Sequence, residues 1–278
     1  MAITGGIKFF QKSKSLGSDG TTIVAGTGNA SSPYAIDRNP FTVWRSVGSD
    51  DMTTETITVT LPAPVSISRL FLIGHNFKDF NVQYDSAGFT HFASVVGLDG
   101  SKSNITETAF ADSTAYYEFT PVTTDEIRIQ VLKSQVVDAQ KYLNQIILTN
   151  ELGTLSGFPV ISEVVFSRSQ RVSDMTSGRK NVQKSIETFG FSMDLQPYPS
   201  SYTADLNLLF SLVSMEDPFL TWLCGGRRGS TYFGHTLPGF RIGDVFPMQL
   251  VSEVASNYMG NLYKGPVESS FTFYEVTT

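Results

Sequence analysis

Ser32 to Ser46 reads SPYAIDRNPFTVWRS, and one short loop later Glu55 to Leu61 reads ETITVTL. Asp37-Arg38-Asn39-Pro40 has turn chemistry, since Asp and Asn bond nearby backbone and Pro presets its φ. Trp44, between Thr42 and a strand, is a large anchor for which burial is the expectation. Ile57, Val59 and Leu61 alternate, so they share one face of a half-buried strand. A polar turn, an aromatic anchor and an alternating strand together predict the opening of a β domain.

The same alternation continues outward to Leu148. Val65 and Ile67 lead into Leu70 and Leu72, then come Phe80, Val82 and Tyr84, Tyr117 and Phe119, Ile127, Ile129 and Val131, and Ile146 with Leu148. Gly, Pro, Ser, Asp and Asn separate these runs, which is the pattern of a sandwich. Tyr116 to Val131 (YYEFTPVTTDEIRIQV) reads as a strand, a proline turn and a strand. Ala35, Asp37, Thr42, Trp44 and Leu61, with Ile127-Arg128-Ile129 later, resemble the discoidin, or coagulation factor 5/8 C-terminal type, family. The resemblance spans about the first 150 residues and implies a galactose-binding-like jelly-roll β-sandwich, usually a binding module. Several carbohydrate-binding relatives hold calcium near the aspartate turn, which implies Asp37, Asn39 and Thr42 as oxygen donors here. The late acidic ligand of those relatives corresponds to Gln145 in this chain, a departure from the pattern. No other cofactor is implied.

Glu151 to Pro159 (ELGTLSGFP) interrupts the alternation with two glycines and a proline. The expected organisation is therefore a sandwich over 1–150, a linker over 151–158 and a second domain over 159–278. In the latter, Val160 to Ser167 and Ser185 to Leu195 read as strands around the polar run Arg168 to Lys184. That run sets Arg168, Arg171, Arg179, Lys180 and Lys184 against Asp174 alone, so it is either a solvated hairpin tip or arm, or a contact for an acidic neighbouring subunit. A helix is predicted near 202–215, with Leu206, Leu209, Phe210 and Val213 on one face, Asp205 in its first turn, and Leu208 and Leu212 widening the apolar arc. Phe219 to Cys224 then enters Gly225-Gly226-Arg227-Arg228-Gly229, and strands recur to Val276. This α+β order, with the segments DLNLLFSL and FLTWLCGGRRGS, resembles the β-barrel-plus-helix domain of bacteriophage tail-tube, distal-tail and baseplate proteins. The resemblance implies packing into rings, with Arg171, Arg179, Lys180, Arg227 and Arg228 as candidate interface residues. Distal-tail proteins usually place the ring domain first, and here the expected order is reversed.

The 278 residues carry a formal charge of −6, 41% hydrophobic and 17% charged side chains, the balance of an ordered globular protein without general affinity for nucleic acid. Cys224 is the lone cysteine, so no disulfide forms within the chain; many extracellular discoidin domains have one, and its lack points to a microbial or viral version. No signal peptide or membrane-spanning run is legible, and assembly in the host cytoplasm is expected. His75, His91 and His235 lack metal-site spacing, GxSxG and Gly-Lys-Ser/Thr loops are absent, and Cys224 follows apolar residues, where an inert thiol is the default. Asp50, Asp51, Glu55 and Asp194 are scattered carboxylates. Ligand-binding candidates are His75, Asn76, Phe77 and Lys78, where donor, acceptor and aromatic types meet at a strand end. The expectation is a mainly β, non-enzymatic virion protein of a phage tail tip or baseplate, partnered by tail proteins and by copies of itself. A carbohydrate-binding lectin or adhesin recognising cell-surface glycans is the alternative, and a glycan-processing enzyme a third reading.

Overall fold

The computed structural model describes residues 7–39, 42–48, 50–85, 92–94, 105–106, 114–155, 160–174, 180–198, 203–213, 215, 219–223, 231–232, 235–236, 245–250, 256–258 and 267–275. In chain order the strands begin β1 (Ile7–Phe10), β2 (Thr22–Ala25), β3 (Trp44–Arg45), β4 (Glu55–Ile73), β5 (Phe77–Asp85), β6 (Phe92–Ser94) and β7 (Ile105–Thr106). They continue with β8 (Thr114–Ser134), β9 (Tyr142–Leu143), β10 (Gln145–Thr149), β11 (Glu151–Thr154), β12 (Val160–Asp174) and β13 (Lys180–Tyr198). Helix α1 (Thr203–Val213) precedes β14 (Phe219–Leu223), β15 (Thr231–Tyr232), β16 (His235–Thr236), β17 (Val245–Leu250), β18 (Ser256–Tyr258) and β19 (Val267–Glu275).

Two compact units result, Ser13–Glu151 and a second made of Met1–Lys12 with Leu152–Thr278. This differs from the expected division at 1–150. Strand β1 pairs antiparallel with β14, Ile7 opposite Leu223 and Phe10 opposite Leu220. The physical reason is visible in its side chains, because Phe9 and Phe10 are both buried and Phe9 stacks on Phe273 at 5.8 Å. The sandwich is thus an insertion between β1 and β11, which are neighbours in one sheet. Half of the expected linker is β11 itself, and residues 156–158 lie outside the described set.

Within Ser13–Glu151 the sheet order is β10-β4-β8-β5-β6, with β2 on β4 and β7 on β5. Strand β4 joins two segments that the sequence separates at Pro62 and Pro64, and β8 runs straight through Pro121, where a turn was expected. Register shifts absorb these prolines, between Thr60 and Val65 and between Ile67 and Arg69. Pro cannot donate to a ladder but is tolerated in a bulge. The bulges also reverse which side chains face inward: Ile57, Val59 and Leu61 enter the core from odd positions, Leu70 and Leu72 from even ones, all in the same cluster as Trp44, Phe80, Ile127 and Ile129. One strand therefore contributes two differently phased stretches to one core, the arrangement of a β-sandwich.

In the second unit the sheet order is β11-β1-β14-β17-β19-β13-β12, with β18 on β19. The polar run read as a loop or hairpin tip is mostly strand, Arg171 opposite Gln183 and Asp174 opposite Lys180. Helix α1 buries Asp205, Leu209 and Leu212, while Phe210, expected on the inner face, is 41% exposed. A stripe at 205, 209 and 212 is also helical spacing, and it turns Phe210 outward. Leu208 lies over Gly153, where a Cβ would stand 2.7 Å from its methyl carbon.

Candidate functional site

The expected ligand residues of the loop after β4 turn inward. His75 is 1% exposed, packs on Phe77 at 4.9 Å, and accepts a hydrogen bond from the Phe77 amide on Nδ1 at 3.1 Å. Phe77 is wholly buried and Asn76 nearly so; only Lys78 faces outward. The first three are therefore corrected from ligand contacts to structural parts, since a side chain without surface cannot meet a sugar. Burial pulls the His75 imidazole down to about 3.

Asn76 serves a different purpose. Its Nδ2 donates to Gln140 O at 2.8 Å and its Oδ1 accepts from Tyr142 N at 2.9 Å, so one amide clamps the backbone on both sides of Lys141. Segment 140–144 is the hub of this end of the sandwich. Lys141, 0% exposed, sends Nζ to Asp50 O at 2.7 Å and to Thr53 O, while its backbone exchanges bonds with Ser46. Burial lowers its pKa, opposed by Glu55, Asp50 and Asp51. Asp51 O accepts from Ser134 N and Asp51 Oδ1 from Asp138 N, which ties loop 46–53 to loop 134–141. The Asp50 carboxyl is held below the usual range, first by the Thr53 hydroxyl and then by the Thr53 and Met52 amides.

At the other end of the hub, the Asp37 turn is self-contained. Thr42 Oγ1 donates to Asp37 at 2.8 Å, Asn39 N donates to Asp37 Oδ1 at 2.8 Å, and Asn144 Nδ2 donates to Asn39 O at 3.4 Å and to Thr42 O. The residue that reaches this turn is Asn144; Gln145, which the resemblance aligned with an acidic ligand, pairs with Ile73 in the sheet. Gly74, at φ +62°, makes room for it: a Cβ there would stand 2.7 Å from Asn144 Cβ. Trp44 is buried and donates Nε1–H to Thr27 O at 3.2 Å, as its core reading expects.

What the hub presents outward is a mixed face. The Arg45 guanidinium lies over the Tyr142 ring at 5.4 Å, on paired strands β3 and β9. The tied loops expose Val47, Met52, Val136 and Val137, the last 74% exposed. Sequence reasoning missed all six. Arg45 and Tyr142 are 97 positions apart (142 − 45) and no local pattern joins them; the exposed pair Val136-Val137, outside any alternation, was the one available signal. Among the interface candidates, Arg171 and Lys180 fall on β12 and β13 as backbone positions, and Arg179, Arg227 and Arg228 lie outside the described residues. Among the described residues no group of three or more His, Cys, Asp or Glu could hold a metal ion, and no helix is long and apolar enough to cross a membrane.

No family model and no curated protein matches the chain. Solved structures similar to it include chitosan-binding module 1 derived from a chitosanase/glucanase of Paenibacillus sp. IK-5, as a point mutant, at 16% identity and a TM-score of 0.41, covering 50% of this chain and 99% of the module. The Clostridium perfringens module CpGH89CBM32-5, in complex with GalNAc-β-1,3-galactose, aligns at 13% identity and 0.39 over 49% of this chain and 99% of its own. A GH29 fucosidase of Ruminococcus gnavus aligns at 12% and 0.40, over 50% of this chain but 27% of the enzyme. Likenesses of this size carry no ligand and no activity across.

Proposed function

We propose that this chain is a non-enzymatic glycan-binding protein whose inserted sandwich recognises its ligand with the face around Arg45 and Tyr142. The observation that carries the reading is the mixed surface itself: a guanidinium over an aromatic ring on paired strands β3 and β9, with exposed aliphatic side chains on the adjoining loops that Lys141 and Asn76 tie down. A sugar offers apolar C–H faces and hydroxyls together, which such a surface can meet by stacking and by charge-assisted hydrogen bonds. Preorganised loops reduce the ordering cost of binding. Screening the full chain on a glycan array and titrating the hits by calorimetry tests it. Arg45→Ala and Tyr142→Ala should each weaken binding by at least about tenfold, with unfolding free energies unchanged to within about 0.5 kcal/mol. Silence across the array, or full affinity in both variants, removes the proposal.

A second reading, the homo-oligomeric subunit of a phage tail tip or baseplate, is supported by Phe210, which α1 leaves exposed. Light scattering on the wild type and on Phe210→Ser separates it: large assemblies that the variant dissolves favour assembly, and a monomer in both removes it.

A further inference from the structure

We infer that the Asn144 amide takes the place of a divalent cation in the Asp37–Thr42 turn and makes that turn independent of metal. Five oxygens gather there: both carboxylate oxygens of Asp37, the carbonyls of Asn39 and Thr42, and the Thr42 hydroxyl. Thr42 Oγ1 lies 3.1 and 2.8 Å from the Asp37 oxygens and 2.9 Å from Asn39 O. A calcium ion draws six to eight oxygens about itself, so such a set with one further acidic partner is close to a cation site. Here the further partner is a donor. Asn144 Nδ2 touches both Asn39 O and Thr42 O, presenting a partial positive charge where those carbonyls converge.

The donor set therefore does not fit an ion. An N–H aimed at the carbonyls repels a cation and already satisfies two of the five oxygens that would bind one, while Thr42 Oγ1 and Asn39 N donate to the Asp37 carboxylate. The amide is also built in: Asn144 is buried, its backbone N–H bonds Ile73 O and Gly74 O at 3.1 Å each, and the Cβ-free Gly74 leaves space for the root of its side chain. A neutral amide in this position closes the turn without any ion.

Calorimetric melts of the full chain in EDTA and in millimolar CaCl2 test this. The wild type should melt at one temperature in both. Asn144→Asp is isosteric but replaces the donor with an acceptor facing two carbonyls. It should melt lower in EDTA and rise in calcium by at least about 4 °C, and it should sensitise terbium luminescence from nearby Trp44, which the wild type should not. Asn144→Ala should melt lower in both buffers. A calcium-dependent rise in the wild type that Asp37→Asn abolishes would overturn the inference, and so would an aspartate variant that folds yet ignores calcium and terbium. The wild-type pair of melts decides the matter even where the aspartate variant does not fold.

Discussion

Lys141 and Asn144 flank the two-residue strand β9 and hold two neighbouring loops by different means. Lys141 inserts a full charge beneath loop 46–53 and draws two backbone carbonyls onto it, with Glu55 and two aspartates nearby; Asn144 closes the Asp37 turn with a neutral amide. The difference lies in what removal leaves behind. Without Lys141, carbonyls and buried acid lose a cation; without Asn144, the carbonyls of the exposed Asn39 and the half-buried Thr42 can turn to water. Burial multiplies the consequence of a charge and spares a dipole at the rim.

That contrast is broken if the two truncations cost the same. Lys141→Met should destabilise by about 3 kcal/mol, read by urea unfolding of the full chain, and Glu55→Gln should then cost about 1 kcal/mol less in the Lys141→Met background than in the wild type. Acidification comes next. His75 has a folded pKa of about 3, below its ordinary 6.5, so the unfolded chain binds the proton first. Its share of stability is complete above pH 6.5 and falls as pH drops from there toward 3, by up to about 1.4 kcal/mol per pH unit. His75→Gln should flatten that slope, and an unchanged slope would show that the imidazole is not kept neutral. Asn144→Ala should cost about 1 kcal/mol. Smallest of all, Val137→Ser should change stability by under about 0.5 kcal/mol while weakening glycan binding, because its side chain faces outward.

Much of the sandwich was legible because alternation in Ile57-Val59-Leu61 and Ile127-Ile129-Val131 is a local consequence of which face is wet. The proline positions were read locally too, and there locality misled: Pro62, Pro64 and Pro121 looked like strand ends, yet bulges let β4 and β8 run on. The helix was legible to within two residues at each end, but its inner stripe was not, since Leu206, Leu209, Phe210 and Leu212 are alike in hydropathy and only the covering sheet chooses among them. His75 and Asn76 had the chemistry of a binding loop, and the fold spent both on its interior.

By itself the sequence determined the β character of the chain, the anchoring of Trp44 and the place of helix α1, because each follows from side chains close together along the backbone. Only the tertiary structure decided that the first twelve residues belong with the last part of the chain, that Lys141 and Asn144 lock separate loops, and that Arg45 meets Tyr142. Those outcomes depend on strand register between distant segments, which shifts a side chain from one face to the other with every residue of slip.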